Sequence, residues 1–458
     1  MFKKVLVANR GEIAVQIIRA LHELNITAVA IYSSADKDAL FVQLADEAIC
    51  IGGPQPAQSY LNMSQILSAA NLTGCEAIHP GYGFLSENAE FARLCAECHI
   101  AFIGPTPEVI DLMGDKAHAR AAMQKSGVPV IPGSEGTVAS LAEAMTTAHR
   151  IGYPILLKAA EGGGGKGIRA VAAAADLPAA FRETQREARL NYGDDRIYIE
   201  KLVTNAKHIE MQVIADTHGH IVYLPERDCS MQRHHQKVIE ESPCQDITPV
   251  ERAKLGNIVV QACHQIGYTN TGTFEFLMDS HHHFYFLEMN TRLQVEHTVT
   301  EEVTGLQLIK AMVRVAAGES LPFTQADAQV KGYALECRIN AEDPANNFRP
   351  SPGTLQQLYL PDGTLGVRID SGVTTGSTIP PFYDAMIAKL IVHLPTREGT
   401  IVKMQRVLGE CIVRGIAINR DFLQALLASP KFADAQYTTD YIEQEFLPEW
   451  RSKRDVTA

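Results

Sequence analysis

The chain has 458 residues, of which 46% are hydrophobic and 21% are charged, a balance typical of globular proteins. Because a single core rarely grows beyond about 250–300 residues, we expect two or three packed units. The formal net charge of −12 argues against general binding to nucleic acid or to anionic membranes. The chain opens without a signal peptide, has no apolar run long enough to span a membrane and carries nine scattered cysteines, so the sequence predicts a cytoplasmic protein with reduced thiols.

Short apolar strands alternate with helical patterns over the first hundred residues. Strands are predicted at 5–8, 28–32, 48–51, 77–79 and 101–103. Between the first two strands, Ile13, Ile17, Leu21 and Leu24 recur at helical spacing. The alternation predicts an α/β unit with a parallel sheet and helices on both faces. The first turn lacks the glycine fingerprint of dinucleotide-binding folds, which argues against a nicotinamide cofactor.

Two further units are predicted after a turn region at 114–135, which is marked by Pro129, Pro132 and Gly133. The second unit runs to about residue 320. The third begins near 330 with strands at 333–339 and 386–393 and ends in helices near 398–410, 420–428 and 438–446. Residues 95–99 match the C-x-x-C-H pattern of haem attachment, but we interpret them as the end of a helix over 88–98, because covalent haem attachment needs export.

Four consecutive glycines at 162–165 follow the strand-like segment 155–157. Glycines are costly inside helices and strands, but they expose N–H groups and allow the close approach that a polyphosphate needs. Lys158 and Lys166 flank them with positive charge. Gly167 rather than Ser or Thr follows Lys166, so the motif is not a P-loop. We therefore predict a phosphate-binding loop; a flexible linker is the alternative, although linkers usually mix serine with glycine.

Glu275 and Glu288 lie in two strand-like segments, 273–277 and 284–289. If residues 281 and 282 form a two-residue turn, the two glutamates face each other across a hairpin. Like charges placed opposite each other destabilise a sheet, so a cation between them is expected, and carboxylate oxygens suit Mg²⁺. Their neighbours are strongly apolar, which argues against the alternative of two solvated surface glutamates. Asn290 follows at period two and shares the face.

The next residues continue the same pattern. Arg292, Gln294 and Glu296 follow Asn290 at period two, which predicts that the strand carries on with these side chains on the metal-binding face. A guanidinium, an amide and a carboxylate in a row could hold a small oxyanion such as bicarbonate and remove its proton. A polar surface strand with one ion pair is the alternative.

Two histidine-containing segments have different interpretations. Residues 227–237 form a basic cluster in an acidic chain, and His235 and Lys237 could reach one phosphate or bicarbonate; a solvated basic face is the alternative. His281, His282 and His283 are interpreted as a solvated hairpin tip, because three consecutive side chains do not readily converge on one metal.

Together these segments closely resemble the biotin carboxylase family. The resemblance covers residues 1–446 and is carried by the strings at 9–14, 79–88, 114–116, 158–167, 226–237, 288–297, 336–342 and 381–384. It implies a protein that is α/β in class and α+β overall. The implied parts are an N-terminal Rossmann-like parallel-sheet domain (1–113), an ATP-grasp domain (114–325) with a mobile glycine-rich lid (about 132–203), a mixed α+β C-terminal domain (330–446) and a tail (447–458).

The resemblance also implies roles for individual residues. ATP would be bound by Lys116, Lys158, Gly164, Gly165, Lys166, Glu200, Lys201, Leu202, Val203, His208, Gln232 and His235. Two Mg²⁺ ions, for which Mn²⁺ could substitute, would be held by Glu275, Glu288 and Asn290. Bicarbonate would be held by Lys237, Arg292, Gln294 and the Val295 backbone, and Glu296 would act as base. Arg338 would stabilise the biotin enolate, with Tyr82 also in contact with substrate.

The implied activity is ATP-dependent carboxylation of biotin through carboxyphosphate. The chain lacks the Ala-Met-Lys-Met-like string of biotin-attachment domains, so we expect biotin on a separate carboxyl carrier protein, with carboxyltransferase subunits as further partners. Such subunits usually belong to acetyl-CoA carboxylase, which makes malonyl-CoA for fatty-acid synthesis. Arg19 and Glu23 match positions at the family's homodimer interface, so we expect a dimer.

Two departures from the family pattern and two rival functions complete the sequence-based picture. Gln16 stands where close relatives often have Arg, which puts in doubt an ion pair with Asp384, and Ile168 replaces a common Met. One rival is a different ATP-grasp ligase, such as a carbamoyl-phosphate or amino-acid ligase. The other is a non-catalytic nucleotide-binding subunit. A carboxylase of another acyl acceptor remains an alternative within the family.

Overall fold

The computed structural model describes residues 1–134, 136–159, 168–192 and 195–455. In the first unit, five parallel strands form a sheet in the order β3-β2-β1-β4-β5. The strands are β1 (Lys4–Val7), β2 (Thr27–Ser33), β3 (Glu47–Gly52), β4 (Ala77–His79) and β5 (Ala101–Phe102); the helices are α1 (Gly11–Glu23), α2 (Leu40–Leu44), α3 (Met63–Thr73) and α4 (Ala89–Glu97). Val5 and Val7 of β1 pack on α1, and Leu6 packs on the other face with α3 and α4. The predicted parallel sheet with helices on both faces is confirmed.

The haem-like motif lies where the helix interpretation placed it. Asn88 caps α4, which ends at Glu97, and Cys95 is buried in the core of the first unit. Burial raises the pKa of Cys95 to about 12, which disfavours the nucleophilic thiolate form. All nine cysteines lie within the described residues and are free thiols.

A small antiparallel sheet forms part of the second unit. Helices α5 (Pro107–Gly114) and α6 (Lys116–Lys125) lead to α7 (Leu141–Ile151), β6 (Ile155–Ala159), β7 (Ile168–Val171), α8 (Leu177–Tyr192) and β8 (Ile197–Lys201). The three strands are ordered β7-β6-β8, and the apolar sides of α7 and α8 cover one face. The glycine-rich segment follows β6, and the predicted ATP-binding residues Gly164, Gly165 and Lys166 lie outside the described residues.

The largest sheet is antiparallel and has nine strands. Its second-unit elements are β9 (Lys207–Ala215), β10 (Ile221–Tyr223), β11 (Arg227–Arg233), β12 (Gln236–Ser242), α9 (Pro249–Ile266), β13 (Asn270–Met278), β14 (Phe284–Asn290), α10 (His297–Thr304) and α11 (Leu308–Ala316). The third unit contributes β15 (Tyr333–Asn340), β16 (Glu342–Asp343), β17 (Arg349–Pro350), β18 (Gly353–Thr354), β19 (Gln357–Tyr359), β20 (Val367–Ser371), β21 (Thr378–Ile379), β22 (Met386–Leu394), α12 (Arg397–Glu410), β23 (Ile412–Arg414), α13 (Arg420–Leu427), α14 (Pro430–Ala433) and α15 (Leu447–Asp455).

This sheet continues from the second unit into the third. Its order is β14-β13-β9-β11-β12-β15-β22-β20, with β10 paired to β9. The junction is the pairing of β12 with β15, in which Glu240 lies opposite Glu336. The change of unit near residue 330 is therefore not a break in the sheet, a feature that the linear pattern of elements did not reveal.

The C-terminal helices differ in part from the sequence-based expectation. Helices α12 and α13 lie where they were predicted, and their inner faces pack on β15 and β22. The helix expected at 438–446 is instead a π-helical turn, Ile442–Phe446, that runs into α15. Residues beyond 446 are thus helical as far as residue 455. Among the described residues, no helix has the length and apolar character that a membrane span requires.

Candidate active site

A cleft of about 1130 Å³ lies where the two antiparallel sheets face the loops of the first unit. Nearly all of the described side chains that the sequence singled out line it: Tyr82, Lys158, Glu200, Lys201, Leu202, Val203, His208, Gln232, His235, Lys237, Glu275, Glu288, Asn290, Arg292, Gln294, Val295, Glu296 and Arg338. Lys116, at the start of α6, is exposed and is not part of this lining. Its charge nevertheless acts to lower the pKa of Glu288, which places it near the cleft.

The predicted register of the two glutamates is confirmed: Glu275 of β13 lies directly opposite Glu288 of β14. The prediction of a two-residue turn is wrong, however, because Met278 pairs with Phe284 and leaves a connection of five residues. A β-bulge between these two pairs compensates for the one-residue difference. As a result, Leu287 and Glu288 both line the cleft.

The connection at the tip of this hairpin is organised by Asp279. Its Oδ1 accepts hydrogen bonds of 2.9 Å from the backbone N–H groups of His281 and His283. The Nδ1 atom of His283 lies 3.1 Å from Asp279 Oδ2, whereas His282 contacts Glu251. The three histidines are exposed, and the side chains of His282 and His283 contact different acidic residues, which agrees with a solvated tip.

A partly buried ammonium joins three carboxylates in the cleft. Lys237 of β12 contacts Glu210 of β9, and its Nζ lies 3.0 Å from Glu275 Oε1 and 2.8 Å from Glu296 Oε1. Strand pairing sets this cluster, because Glu275 lies opposite Glu210 on β9 as well as opposite Glu288 on β14. The row of acidic side chains therefore crosses three adjacent strands and ends beside the lysine.

Electrostatic interactions distinguish the two paired glutamates. Burial alone would raise the pKa of Glu275, but Lys237 and His208 lower it well below its ordinary value. Glu288 is exposed to the open cleft, and its pKa is raised, first by desolvation and next by repulsion from Glu275. Burial lowers the pKa of His208, yet Glu275 and Glu210 raise it to about 9. At neutral pH the imidazole is therefore a cation 3.2 Å from both carboxylates.

Glu210 and Arg227 are central to the site, although the sequence analysis did not select them as site residues. Arg227 of β11 is fully buried, and its Nε and Nη2 donate to Glu210 Oε2 at 3.0 and 2.9 Å. The same guanidinium donates to Gln294 Oε1 at 2.5 Å, and the Gln294 amide donates to Glu275 at 2.7 Å. The polar period-two pattern His208, Glu210, Gln212 inside an apolar strand was the sequence signal that could have identified β9.

The segment after β14 is not the strand that the sequence analysis predicted. Residues 291–296 form an irregular loop, and α10 begins at His297. The backbone leaves the sheet because Glu87 of the first unit accepts from the Thr291 N–H at 3.1 Å and from Arg292 Nε at 2.8 Å. Arg292 Nη2 also donates to Asn290 Oδ1 at 2.9 Å. Gln294 and Glu296 still reach the cleft from this loop, and Val295 between them lines it as well.

Arg338 of β15 brings the third unit into the site. Its Nη2 lies 2.8 Å from Glu296 Oε2, and its Nε lies 2.5 Å from Glu240 Oε1. Burial raises the pKa of Glu240 to about 7 despite the neighbouring guanidinium. Burial would likewise raise the pKa of Glu296, but Lys237 on one side and Arg338 on the other lower it, so Glu296 is an ionised carboxylate between two cations.

The hairpin between β11 and β12 places two predicted residues at the cleft. Arg233 pairs with Gln236, so His234 and His235 form a two-residue turn, with φ values of +49° and +61°. Both positive angles fit the turn type that matches the strand twist. His234 is held from the third unit, because its N–H donates to Glu443 Oε1 at 2.8 Å. His235 consequently lies on the cleft wall near Gln232.

The side of the cleft formed by the small sheet carries Lys158, Glu200, Lys201, Leu202 and Val203. Lys158 of β6 forms an ion pair with Glu200 of the adjacent strand β8. Lys201 Nζ donates to the carbonyls of Gly152 and Tyr153 at 3.1 and 2.7 Å. Its ammonium is thus engaged within this sheet.

Tyr82 approaches the cleft from the first unit. Asn9 positions the loop, because its Nδ2 donates to the carbonyls of Pro80 and Tyr82 at 2.7 and 2.8 Å. The Tyr82 hydroxyl donates to Glu12 of α1, and Gln16 donates to the other oxygen of the same carboxylate.

Gln16 also contacts two residues of the other units. Its Oε1 accepts from Arg368 Nη2 at 3.0 Å and lies 3.3 Å from His297 Nε2. Asp384 instead accepts from the N–H of Met386 at 2.8 Å.

Three protein-family models match the chain. They are the biotin carboxylase N-terminal domain over residues 1–110, the ATP-binding domain of the carbamoyl-phosphate synthase L chain over residues 115–324, and the biotin carboxylase C-terminal domain over residues 336–444.

Relatives of similar length include proteins named simply biotin carboxylase and parts of carboxylases named for pyruvate and for 2-oxoglutarate. A biotin carboxylase of Nostoc sp. is 50% identical over 443 residues, covering 97% of this chain and 99% of the relative. A pyruvate carboxylase subunit of Methanothermobacter thermautotrophicus is 49% identical over 444 residues, covering 97% and 90%. The solved biotin carboxylase domain dimer of Hydrogenobacter thermophilus 2-oxoglutarate carboxylase, in complex with MgADP, ADP and bicarbonate, has a TM-score of 0.90 at 47% identity and covers 97% of this chain and 98% of its own.

Proposed function

The chain belongs to the biotin carboxylase family and is an ATP-dependent ligase, and from this premise we propose that it carboxylates biotin on a separate carrier protein as the first half-reaction of an acetyl-CoA carboxylase. One observation carries the proposal. Lys237, Glu296 and Arg338 meet at hydrogen-bond distance, 2.8 Å on each side of Glu296, beside the facing Glu275 and Glu288. Two cations thus flank one carboxylate in a cleft of about 1130 Å³.

The first step joins bicarbonate to the γ-phosphoryl group of ATP. We propose that Lys237, Arg292, Gln294 and the Val295 backbone hold the anion and that Glu296 accepts its proton. A bicarbonate oxygen then forms a bond to the γ-phosphorus while the bond to the bridging oxygen breaks, which gives carboxyphosphate and ADP. Lys237 and Arg338 lower the pKa of Glu296, so the carboxylate is ionised and has an oxygen that can accept the proton, although the same shift makes it a weaker base. Lys158 and Lys116 would neutralise phosphate charge on the opposite side.

The second step transfers the carboxyl group. Carboxyphosphate separates into CO₂ and phosphate, the phosphate takes the ureido N–H proton of biotin, and the nitrogen forms its new bond to CO₂. The negative charge that develops on the ureido oxygen needs a cation. We propose that Arg338 supplies it and that Tyr82, which lines the same cleft, also contacts biotin. We assign the adenine to the small-sheet side, between Glu200, Lys201, Leu202 and Val203, with His208, Gln232 and His235 nearby.

The residues implied for magnesium fit that ion. Glu275, Glu288 and Asn290 offer oxygen atoms, the ligands that Mg²⁺ prefers. The two carboxylates face each other, and their mutual repulsion, which contributes to the raised pKa of Glu288, is what a divalent cation would relieve. Bound there, Mg²⁺ would supply charge neutralisation for the phosphates.

We also propose a homodimer and a carrier partner. The Hydrogenobacter relative is a dimer by its description, and Arg19 and Glu23 lie on the outward face of α1, both exposed. The acyl acceptor is a finer proposal, since relatives named for pyruvate and 2-oxoglutarate are nearly as similar as the stand-alone biotin carboxylases. Isolation of the biotinylated protein that co-purifies with this chain tests that assignment.

The test of the reaction is bicarbonate-dependent ADP release measured with and without free biotin. We expect release to require bicarbonate and to be stimulated by biotin, with carboxybiotin formed. Release stimulated by an amine acceptor instead of biotin would support another ATP-grasp ligase. Binding of ATP without turnover would leave a non-catalytic role.

A further inference from the structure

A fully buried lysine lies where the three units meet. Lys389, near the middle of β22, has no exposed surface and ranks among the largest side chains buried in the described chain. Its strand neighbours are Arg338 on one side and Asp370 on the other. Taking an ammonium group out of water is costly unless it is paired and hydrogen-bonded, so the contacts that compensate for this burial indicate what the residue does.

The contacts of Lys389 reach both walls of the cleft. Its Nζ donates to the Val295 carbonyl at 2.8 Å and lies 3.2 Å from Glu12 Oε1, whereas Asp370 is more distant at 4.0 Å. The same Glu12 oxygen accepts the hydroxyl of Tyr82. One ammonium of the third unit therefore connects a carbonyl of the second unit to a carboxylate of the first.

The two connected segments serve different substrates in the proposed reaction. Val295 lies between Gln294 and Glu296, whose side chains contact Glu275 and Lys237 in the anion pocket. Tyr82 lies on the biotin side. Neither Lys389 nor Glu12 belongs to the set of groups that we assigned to contact with reacting atoms. A rigid link between the two walls would fix the distance between bicarbonate and biotin.

We propose that Lys389 is a positioning residue that sets the Val295 carbonyl and, through Glu12, the Tyr82 hydroxyl relative to each other, so that CO₂ forms within reach of biotin. This inference rests on the proposed function and deepens it. The pKa of Glu12 is raised by its burial and lowered by Lys389, so loss of the lysine would leave a carboxyl group that takes up a proton rather than an unpaired buried charge. Replacement of Lys389 by an apolar side chain is thus expected to be compatible with folding.

The experiment compares Lys389→Met with the wild-type enzyme. We expect kcat/KM for bicarbonate to fall about tenfold or more, because the anion pocket would no longer hold bicarbonate in a fixed orientation. The coupling ratio, the amount of ADP released per carboxybiotin formed, should rise. The KM for ATP should stay within about threefold, since the described contacts of Lys389 are with Val295, Glu12 and Asp370 and not with residues assigned to the nucleotide. Lys389→Arg, which keeps a cation and hydrogen-bond donors, should bring the ratio of ADP to carboxybiotin part of the way back to the wild-type value. If Lys389→Met does not fold, the double variant Lys389→Met with Glu12→Gln, which removes both partners of the buried pair, takes its place.

A matched control is available in Lys207, another buried lysine. It contacts Asp228 and the Ala435 carbonyl, lies over the ring of Tyr437 and does not line the cleft. Lys207→Met should lower stability while leaving the bicarbonate kinetics and the coupling ratio within about twofold of wild type.

The possible results separate this inference from the proposed function. If the wild-type protein shows no biotin-stimulated ADP release, the proposed function fails. If the wild-type protein is active and a folded Lys389→Met retains its bicarbonate kinetics and coupling ratio, the inference is wrong. Equal losses in the affinities for ATP, bicarbonate and biotin, or the same loss in Lys207→Met, would mean a general structural role and would also overturn it.

Discussion

The parallel sheet of the first unit and the nine-stranded sheet are both buried, yet they bury different chemistry. Strand β1 buries Val5, Leu6 and Val7, whereas β9 buries His208, Glu210 and Gln212 on one face. Apolar burial stabilises a fold directly, but buried ions must first recover the cost of leaving water. The difference indicates that the first sheet is built for stability and that the second gives up some stability to hold charged groups beside the cleft.

The strongest test of this contrast is Glu296→Gln. The amide still hydrogen-bonds Lys237 or Arg338 but cannot accept the bicarbonate proton, so we expect bicarbonate-dependent ADP release to fall by about 10³-fold, with little change in thermal midpoint. A steady-state assay with a melting curve checks both. Glu410→Gln, which alters a surface pair with Arg406, is the control and should leave both readouts unchanged. A loss smaller than about tenfold would remove Glu296 from the role of base.

The opposite result is expected in the parallel sheet. Leu6→Ala should cost about 2–5 kcal/mol of unfolding free energy, because it removes a fully buried side chain, while KM for ATP and bicarbonate stays within about twofold. Urea unfolding and kinetics at low temperature measure the two effects. Leu72→Ala, on an exposed position of α3, is the matched control and should be near neutral. Impaired catalysis in folded Leu6→Ala would contradict the proposed difference between the two sheets.

The buried acidic groups of the large sheet should also make stability depend on pH. Burial raises the pKa of Glu336 from 4.5 to about 8, so the folded protein keeps a proton that the unfolded chain has already released. The contribution of Glu336 to stability therefore falls as pH rises between about 4.5 and 8, by up to about 1.4 kcal/mol per pH unit, and levels off above. Glu240, whose pKa is raised to about 7, adds a slope of the same sign. Glu336→Gln should flatten this slope in urea midpoints measured across that range.

Glu319→Gln is the control for this pH dependence, because Glu319 forms only a part-exposed pair with Arg314. It should reproduce the wild-type slope. An unchanged slope in Glu336→Gln would show that Glu336 is ionised in the folded protein throughout this range.

The smallest effect is expected at the tip of the β13–β14 hairpin. Replacement of His281, His282 and His283 by alanine should change stability by less than about 1 kcal/mol and leave the magnesium requirement of ADP release unaltered, since these side chains make only surface contacts. Magnesium titrations of the variant and the wild-type protein measure this. A lost or altered metal requirement would mean that the tip binds metal after all.

Local patterns predicted much of the fold. Apolar periodicity placed the strands of the first unit and β15 and β22, and the alternation around Glu275 and Glu288 predicted their pairing. That prediction succeeded although the turn was wrong, because the bulge beside Leu287 compensates for the longer connection. Turn length and bulges depend on local hydrogen bonds such as those of Asp279, which hydrophobic patterning does not report.

Contacts between distant segments were beyond the reach of such patterns. Glu210 and Arg227 were missed, because each is explained only by partners on other strands. The segment beyond Asn290 forms a loop rather than the expected strand, since Arg292 donates a hydrogen bond to Glu87, some two hundred residues away in the chain. The continuity of the large sheet across residue 330 also depends on a pairing, Glu240 with Glu336, that no periodicity encodes.

That pairing has a consequence for attempts to divide the molecule. A fragment cut between α11 and β15 would turn β12 into an edge strand, with a ladder of N–H and C=O groups left without partners. The fragment would also bring Glu240 into solvent without Arg338 beside it. Such an open edge is a template for strand addition by other copies, so the nucleotide-binding half, taken alone, should self-associate rather than remain a tractable monomer.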